Sequence, residues 1–423
     1  MPILRRTWRA FFLVAIGVLL VASCGDDDGA TGRDAAMRSD GTLPATPPGT
    51  PPTPPGTPPT PPGPPPPPGT GTAADFAARL GRTHFLIGMG NDLAGEELGY
   101  DHDLDGAYTL PSMPDLHYCY LVGLPGMGGW PDWNAEGSFV NIMTDTADAH
   151  GVVPMFTMYM MASWGDGNLA GLASADFMGP YWDAVELFFQ RVAMFGRPVV
   201  VHIEPDFWGY AQQQSGGDPS SVEVLVRDAP GCADLPNDLS GLGRCWARMA
   251  RTIAPQSLIG LHASRWAGAP ADTISFLAAV GANETDFIGM DPLDRDAGCF
   301  EAHVDPNCQR EDGPWYWDET NTTSPNFSEY LDFSRQIGEG LGRPIIWWQI
   351  PFGVPSDTPG GTPGHYRDNR VRYFFAHIDE LVAAGGVAAA FGTGAGNQTY
   401  ITTDDGQFER AITGYYGSPV GLP

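Results

Sequence analysis

Three ionisable side chains directly follow a run of β-branched residues in the middle of the chain. The segment VVVHIEPD places His202, Glu204 and Asp206 after residues 199–201. Apolar β-branched runs of this kind are typical of buried strands. Because side chains alternate along a strand, His202 and Glu204 are expected on one face. A buried strand that ends in acidic and imidazole groups indicates a chemical site at that end.

Polar and aromatic side chains also gather where other apolar runs end. In a parallel arrangement, these strand ends would all lie on the same side of the sheet. These residues are Asn91, Asp92, Tyr159, His262, Arg265, Asp291, Asp294, Trp347, Trp348, Gln349 and Asn397. This distribution predicts one shared site rather than several separate ones.

Carboxylates beside flat aromatic rings suit carbohydrate chemistry, and glycoside hydrolysis needs two carboxyl groups across the scissile bond. Glu204 is the leading general acid, since partial burial at a strand end would raise the pKa of its carboxyl. Asp291 is the best second carboxylate. The predicted substrate-binding residues are Asp92, Tyr159, His202, Asp206, Trp208, His262, Arg265, Trp347, Gln349 and Asn397.

Both acids have an alternative structural interpretation. Glu204 could be a buried acid that is satisfied by Arg265 or His262, and Asp291 could be a turn or helix-capping residue before proline. Trp347 and Trp348 must point to opposite sides of their strand. Gln349 shares the face of Trp347, and we expect that pair to face the interior of the fold.

Eight apolar runs alternate with amphipathic stretches over residues 73–423. The predicted strands are 84–89, 117–122, 153–160, 198–204, 257–263, 285–291, 344–350 and 387–392. The predicted helices include 136–150, 180–195, 239–253, 272–281, 328–341 and 370–384. Runs that are apolar throughout favour parallel strands covered on both faces. The pattern predicts an α/β fold, a (β/α)8 TIM-type barrel whose site lies at the carboxyl ends of the strands.

A doubly wound open sheet is the alternative fold. It is disfavoured because no glycine fingerprint follows the first strand. Two segments after predicted strands, 207–238 and 292–327, are interpreted as long loops at the mouth.

The arrangement resembles the (β/α)8 glycoside hydrolases, in which a glutamate at the end of strand four serves as acid/base. IEPD resembles a stretch of cellobiohydrolase-type barrels, and HIEP one of endomannosidase-type barrels. Two positions depart from the largest superfamily of such barrels: Ile203 precedes Glu204 where that superfamily has asparagine, and Gln349 stands near the place of a nucleophilic glutamate. The second carboxylate is therefore expected to be Asp291, with Asp206 and Asp92 as alternatives.

The N-terminus carries an export signal. Arginines 5, 6 and 9 precede an apolar stretch and small residues, and the ending VASC resembles a bacterial lipobox. That resemblance implies cleavage after residue 23 and lipidation of Cys24; an ordinary signal peptide or a short membrane anchor is the alternative. Residues 24–72 form a Pro/Gly/Thr-rich linker that cannot pack a core. We predict an exported lipoprotein, anchored to a membrane of the cell envelope or at the cell surface.

Composition excludes several function classes. The formal net charge is −28, which makes nucleic-acid binding improbable. The chain contains no lysine, so lysine Schiff-base chemistry and a Walker motif are excluded. No cofactor and no metal are expected, and a monomer is expected.

In an exported protein, the local pairs Cys232/Cys245 and Cys299/Cys308 predict two disulfides, and Cys119 is expected to be a buried thiol.

The leading hypothesis is a cell-surface glycoside hydrolase that acts on a neutral poly- or oligosaccharide. The alternative is a non-catalytic carbohydrate-binding lipoprotein on a barrel scaffold, which Gln349 motivates. A metal-dependent hydrolase using His202 and His262 is a third hypothesis. It is disfavoured because the first strand offers His84 alone instead of an H-x-H pair.

Overall fold

The structure, a computed structural model, describes residues 71–90, 106–165, 167–292, 316–355, 366–368, 370–392, 399–401 and 403–423, and the single residues 297, 300 and 303. Several predictions concern positions outside these described residues. They are those for the signal peptide, the linker up to residue 70, Cys24, Asp92, Cys299, Cys308 and Asn397.

Eight parallel strands close into a barrel. The described residues contain ten strands, two of which lie outside the barrel. In chain order they are β1 (Leu86–Gly90), β2 (Leu116–Val122), β3 (Val153–Tyr159), β4 (Val200–Ile203), β5 (Leu258–His262), β6 (Phe287–Met290), β7 (Ile345–Ile350), β8 (Val354–Pro355), β9 (Tyr366–Asp368) and β10 (Gly386–Gly392). The barrel order is β1-β10-β7-β6-β5-β4-β3-β2, and β8 and β9 form a separate antiparallel hairpin. Because β1 pairs with both β2 and β10, the sheet has no edge, which confirms the predicted barrel and excludes the open sheet.

Helices follow most of the barrel strands and cover the outside of the sheet, whereas the first helix precedes β1. They are α1 (Ala73–Arg79), α2 (Trp130–Trp133), α3 (Phe139–Ala149), α4 (Ala175–Phe195), α5 (Pro205–Gln214), α6 (Leu239–Ile253), α7 (Pro270–Ala279), α8 (Phe327–Leu341), α9 (Arg370–Ala376), α10 (Ile378–Ala383) and α11 (Gln407–Tyr416). Short 3-10 turns lie at Ala107–Thr109, Ala135–Gly137, Met161–Ser163, Leu169–Ala173, Pro219–Ser221, Arg265–Ala267 and Ala282–Glu284.

All eight predicted barrel strands are present, with shifted ends. The predicted helix 239–253 has the observed bounds, the predicted helix 370–384 is two helices, α9 and α10, and the other named helices have shifted ends. The prediction that residues 207–238 form a loop was wrong for the first part, because α5 begins at Pro205, immediately after β4. Proline at the first helical position and Asp206 in the first turn are helix-start signals that account for this helix. The interpretation of 292–327 as a loop concerns mostly residues outside the described part of the chain, although α8 begins at Phe327.

Alternate positions on the strands build two separate apolar clusters. One cluster fills the barrel interior and includes Leu116, Tyr118, Met155, Val200 and Trp348. The other lies between the strands and the surrounding helices. The period of two therefore decides which side chains can reach the mouth of the barrel.

Glycine makes room for large interior side chains on neighbouring strands. A Cβ atom at Gly260 would lie 2.6 Å from the ring of Phe287, and one at Gly289 would lie 2.4 Å from Nε2 of His202. Contacts this short do not occur in folded proteins, so these two positions require glycine. The interior is a packed core with an imidazole built into it.

The N-terminal end of the barrel is closed by α1. Phe76 of α1 contacts Phe287, the first residue of β6, at a centroid distance of 5.7 Å. Arg79 pairs with Asp286, and Arg82 Nε lies 2.9 Å from Asp115 Oδ1. Both aspartates stand immediately before a strand, so α1 covers the amino ends of the strands. Access to the interior is left to the opposite end, where the strands have their carboxyl ends.

One of the two predicted disulfides lies in the described residues and is confirmed. Cys232 and Cys245 are bonded, and the bond joins the segment after α5 to α6. Cys119 is buried on β2, as expected. Within the described residues, no helix is both long and apolar enough to cross a membrane.

Candidate active site

The carboxyl ends of β2, β3, β7 and the first turn of α5 bring aromatic and acidic groups together. Tyr120 on β2 contacts Tyr159 on β3 at 5.9 Å and Trp348 on β7 at 5.6 Å between ring centroids. Tyr159 donates its hydroxyl hydrogen to Oδ2 of Asp206 over 2.8 Å. Tyr120, Tyr159 and Asp206 are only partly buried, so they form an accessible patch at the mouth.

A second acid, Asp291, lies at the end of β6. Its Oδ1 is 3.0 Å from Nε2 of His262, and its backbone oxygen accepts a hydrogen bond from the hydroxyl of Tyr330. The side chain of Asp291 is 21% exposed, whereas that of His262 is 1% exposed. The imidazole therefore contacts the carboxylate from the buried side, and part of the Asp291 side chain is exposed.

His202 extends this contact into the barrel interior. Its Nε2 lies 3.0 Å from Nδ1 of His262, and its ring packs 4.8 Å from that of Trp348. Burial, together with the neighbouring His262, holds the pKa of His202 well below its usual range, so this imidazole is neutral at physiological pH. When His262 donates Nε2–H to Asp291, its Nδ1 accepts, and the proton between the rings belongs to Nε2 of His202.

This arrangement leaves one nitrogen of His202 as an acceptor. Among the described residues Nδ1 of His202 has no hydrogen-bond partner, and neither has Oγ1 of Thr157. Thr157 on β3 is the register partner of His202.

Glu204 does not join Asp291 at the mouth. It is 1% exposed, and its oxygens accept hydrogen bonds from the backbone N–H groups of Met160 (3.2 Å) and Met161 (3.0 Å). The hydroxyl of Tyr181 also bonds to this carboxylate, and Nε1 of Trp246 donates to that hydroxyl oxygen over 2.9 Å. Tyr181 and Trp246 belong to the cluster between strands and helices. The carboxylate is thus enclosed outside the barrel interior.

The backbone explains this direction. Glu204 has φ +48°, in the left-handed region, and stands between the last residue of β4 and Pro205. A residue before proline avoids the right-handed helical region. The turn from strand to helix at this residue breaks the alternation that would otherwise place Glu204 on the face of His202.

The prediction that Trp347 faces the barrel interior was wrong. Its ring packs against Phe85 and Phe374, and its Nε1 donates to Oγ of Ser334 over 3.3 Å, so it lies between β7 and the helices. Trp348 is the interior residue of the pair. Gln349 has φ +55°, is 7% exposed and contributes an Oε1 with no partner among the described residues.

Two further predicted binding residues, Trp208 and Arg265, have contacts outside the barrel interior. Trp208 on α5 is 1% exposed and donates Nε1–H to the backbone oxygen of Ile203, so it is a core residue rather than a surface for ligand. Arg265 is half-buried, with its guanidinium 6.0 Å from the ring of Phe333 on α8. It lines a cleft outside the barrel, between the segment after β5 and α8.

The sequence analysis missed Tyr120 as a mouth residue. Its signal was present: Tyr118 and Tyr120 stand two apart near the end of β2, and Tyr118 is in the interior cluster. No group of three or more possible metal ligands occurs among the described residues.

The requirement for glycine at position 289 gives a stability prediction. In Gly289→Ala, the added methyl group would lie 2.4 Å from His202 Nε2, and that ring is enclosed by Trp348 and His262. We expect the free energy of unfolding of the variant, measured in urea, to be about 2 kcal/mol lower than that of the parent. Gly414→Ala is the matched control, because its Cβ meets nothing within 4 Å and alanine favours the helix. Equal stability of the two variants would contradict the packing described for His202.

Sequence comparisons find no matching family model and no matching curated protein. The structure is similar to several solved barrels. A Cellulomonas fimi endo-β-1,4-mannanase double mutant has 13% identity and a TM-score of 0.47, covering 84% of this chain and 76% of that one. The Ignisphaera aggregans GH53 catalytic domain has 12% identity and a TM-score of 0.43, covering 78% and 96%. D-psicose 3-epimerase from Clostridium cellulolyticum H10 has 11% identity and a TM-score of 0.37, covering 78% and 97%.

At these identities the likeness concerns the barrel alone. The closed ring of eight parallel strands makes the chain a (β/α)8-barrel protein, and no family model assigns it to a family.

Proposed function

We propose that the protein is a cell-surface glycoside hydrolase that acts on a neutral poly- or oligosaccharide. The observation that supports this proposal is the pair of partly exposed carboxylates at one barrel mouth, Asp206 and Asp291, each held by a hydrogen bond from a side chain. Two carboxyl groups on either side of a bound sugar are the machinery that glycoside hydrolysis requires. Tyr120 and Tyr159 supply aromatic faces beside them.

The hydrogen bonds assign different roles to the two acids. Nε2–H of His262 can only donate, so it favours the ionised form of Asp291, which suits a nucleophile or a general base. The hydroxyl of Tyr159 can donate or accept, so it can stay bonded to Asp206 whether that carboxyl is ionised or protonated. We assign Asp206 as the proton donor to the leaving sugar oxygen. Glu204 serves in this proposal as a structural carboxylate.

The second candidate function is carbohydrate binding without hydrolysis. Two observations favour it: the glutamate at the end of β4 is enclosed, and an amide, Gln349, stands at the end of β7. A barrel mouth lined by tyrosines and a buried tryptophan could hold a sugar without cleaving it.

The cellular location remains a proposal from the sequence. The linker joins the domain at α1, which closes the amino end of the barrel, so the tether and the mouth are at opposite ends. A tether from Cys24 would therefore enter the domain at the end opposite the mouth. Metabolic labelling with a fatty acid tests this, and we expect label in the parent and none in a Cys24→Ser variant. Label-free parent protein would contradict the anchor.

A panel of neutral polysaccharides tests the function. The purified protein is incubated with each glycan, and new reducing ends are measured together with binding by calorimetry. Release of reducing ends from at least one glycan is the expected result. Binding without release over days would support the second candidate, and the absence of both binding and release would contradict both.

A further inference from the structure

Three aromatic side chains lie on the segments that follow β3, β4 and β5, beside the mouth. Trp164 follows the turn after β3, Tyr210 is on α5, and Trp266 is in the turn after β5. Trp164 is 39% exposed and Tyr210 is 40% exposed. They are two of the five exposed large apolar residues in the described part of the chain, and the only aromatic ones there. We call these three residues the rim strip.

Close packing holds the strip in place. The rings of Tyr210 and Trp266 are 4.8 Å apart between centroids. A Cβ at Gly209 would lie 2.5 Å from the indole of Trp266, so glycine is needed for that ring to lie against α5. An ordered aromatic surface loses little conformational entropy when a ligand binds.

Two glutamines tie the three loops to one another. Gln213 donates its side-chain N–H to the backbone oxygen of Trp266 over 3.0 Å. Gln214 donates to the backbone oxygen of Gly167, in the loop of Trp164, over 2.7 Å. These bonds connect the segments after β3 and β5 to α5, so the strip is one surface across three neighbouring strands.

The strip continues from the proposed proton donor. Asp206 and Tyr210 are four residues apart on α5, so they lie on the same face of the helix, about 6 Å apart along its axis. Asp206 points toward Tyr159 at the mouth, and Tyr210 is therefore directed to the adjoining part of the rim.

We propose that Trp164, Tyr210 and Trp266 form an extended subsite for the sugar units of a chain that occupies the mouth. This inference rests on the proposed function and narrows its substrate class: the ligand is a chain several units long, and short glycosides fill only the mouth. Aromatic rings bind the C–H faces of pyranoses, and the exposed strip provides such rings on one side of Asp206.

Chain-length dependence tests the subsite. We expect Tyr210→Ala to lower kcat/KM about tenfold for a hexasaccharide of the cleaved glycan and to leave kcat/KM for a disaccharide or aryl glycoside unchanged. Tyr210→Phe, which keeps the ring, should retain the parent values. Met194→Ala is the control, since Met194 is 70% exposed on α4 and outside the strip. Equal losses on long and short substrates, or no loss on either, would overturn the inference.

The outcomes separate this inference from the proposed function. If the parent binds the polysaccharide without cleaving it, the proposed hydrolysis is wrong, and dissociation constants are compared instead of kcat/KM. A tenfold weaker hexasaccharide complex in Tyr210→Ala would then still support the subsite. If the parent hydrolyses long and short substrates alike and Tyr210→Ala has no effect, the subsite fails alone. If light scattering shows that Tyr210→Ala and the parent differ in molar mass, the strip is a contact between protein copies. That result would overturn the subsite.

Discussion

Replacement of Asp291 by asparagine is expected to lower kcat about 10³-fold on the cleaved glycan, with little change in stability. Asparagine has the shape of aspartate and can still accept the N–H of His262 through its oxygen, so the 3.0 Å contact survives. It cannot carry the negative charge that a base or nucleophile needs. Initial rates and urea unfolding of the same preparation measure both effects.

Asp183→Asn is the matched control for this substitution. Asp183 is exposed on α4, on the outside of the barrel, so the same chemical change there should leave kcat at the parent value and stability within about 0.5 kcal/mol. An Asp291→Asn protein with parental kcat would remove Asp291 from the mechanism.

Glu204→Gln is expected to differ from Asp291→Asn in its effects. It should lose much stability but keep the pH dependence of its hydrolysis rate. The carboxylate accepts two backbone N–H groups and a tyrosine hydroxyl in a site with 1% exposure. An amide must turn an N–H₂ group toward one of those donors and leave it unpaired. The expected cost is about 3 kcal/mol in the free energy of unfolding.

The pH–rate profile decides whether Glu204 also acts in catalysis. If its role is structural, the folded variant keeps the shape of the parent's pH–rate profile, because the two proposed catalytic acids are unchanged. Glu409→Gln, at an exposed position of α11, should change stability by no more than about 0.5 kcal/mol. A stable Glu204→Gln protein that lacks turnover would restore Glu204 as the general acid.

The barrel could be predicted because the sequence pattern of parallel strands is strong. The strands Val200–Ile203 and Leu258–His262 are apolar except for His202 and His262 near their carboxyl ends, which identified both the strands and the end at which the site lies. His262 and Asp291 were expected to be near each other for this reason, and they are in hydrogen-bond contact.

Side-chain direction at the strand ends could not be predicted in the same way. Period two holds only while the backbone stays extended, and Glu204 leaves the extended region at φ +48°. On β7, the sequence IIWWQI fits either face, and the choice is made by neighbours distant in sequence: Phe374 packs on Trp347, and His202 packs on Trp348. Long-range packing of this kind overrides a local pattern.

Covalent labelling tests most directly whether the reacting acids are the two at the mouth. An epoxyalkyl glycoside of the released sugar is attacked at an epoxide carbon by a carboxylate oxygen, the ring opens, and an ester forms that mass spectrometry can locate. With the parent protein we expect the ester on Asp291 or Asp206, and none on Glu204, whose oxygens are occupied by the backbone N–H groups of Met160 and Met161. An ester on Glu204 would contradict the arrangement of the site proposed for this barrel.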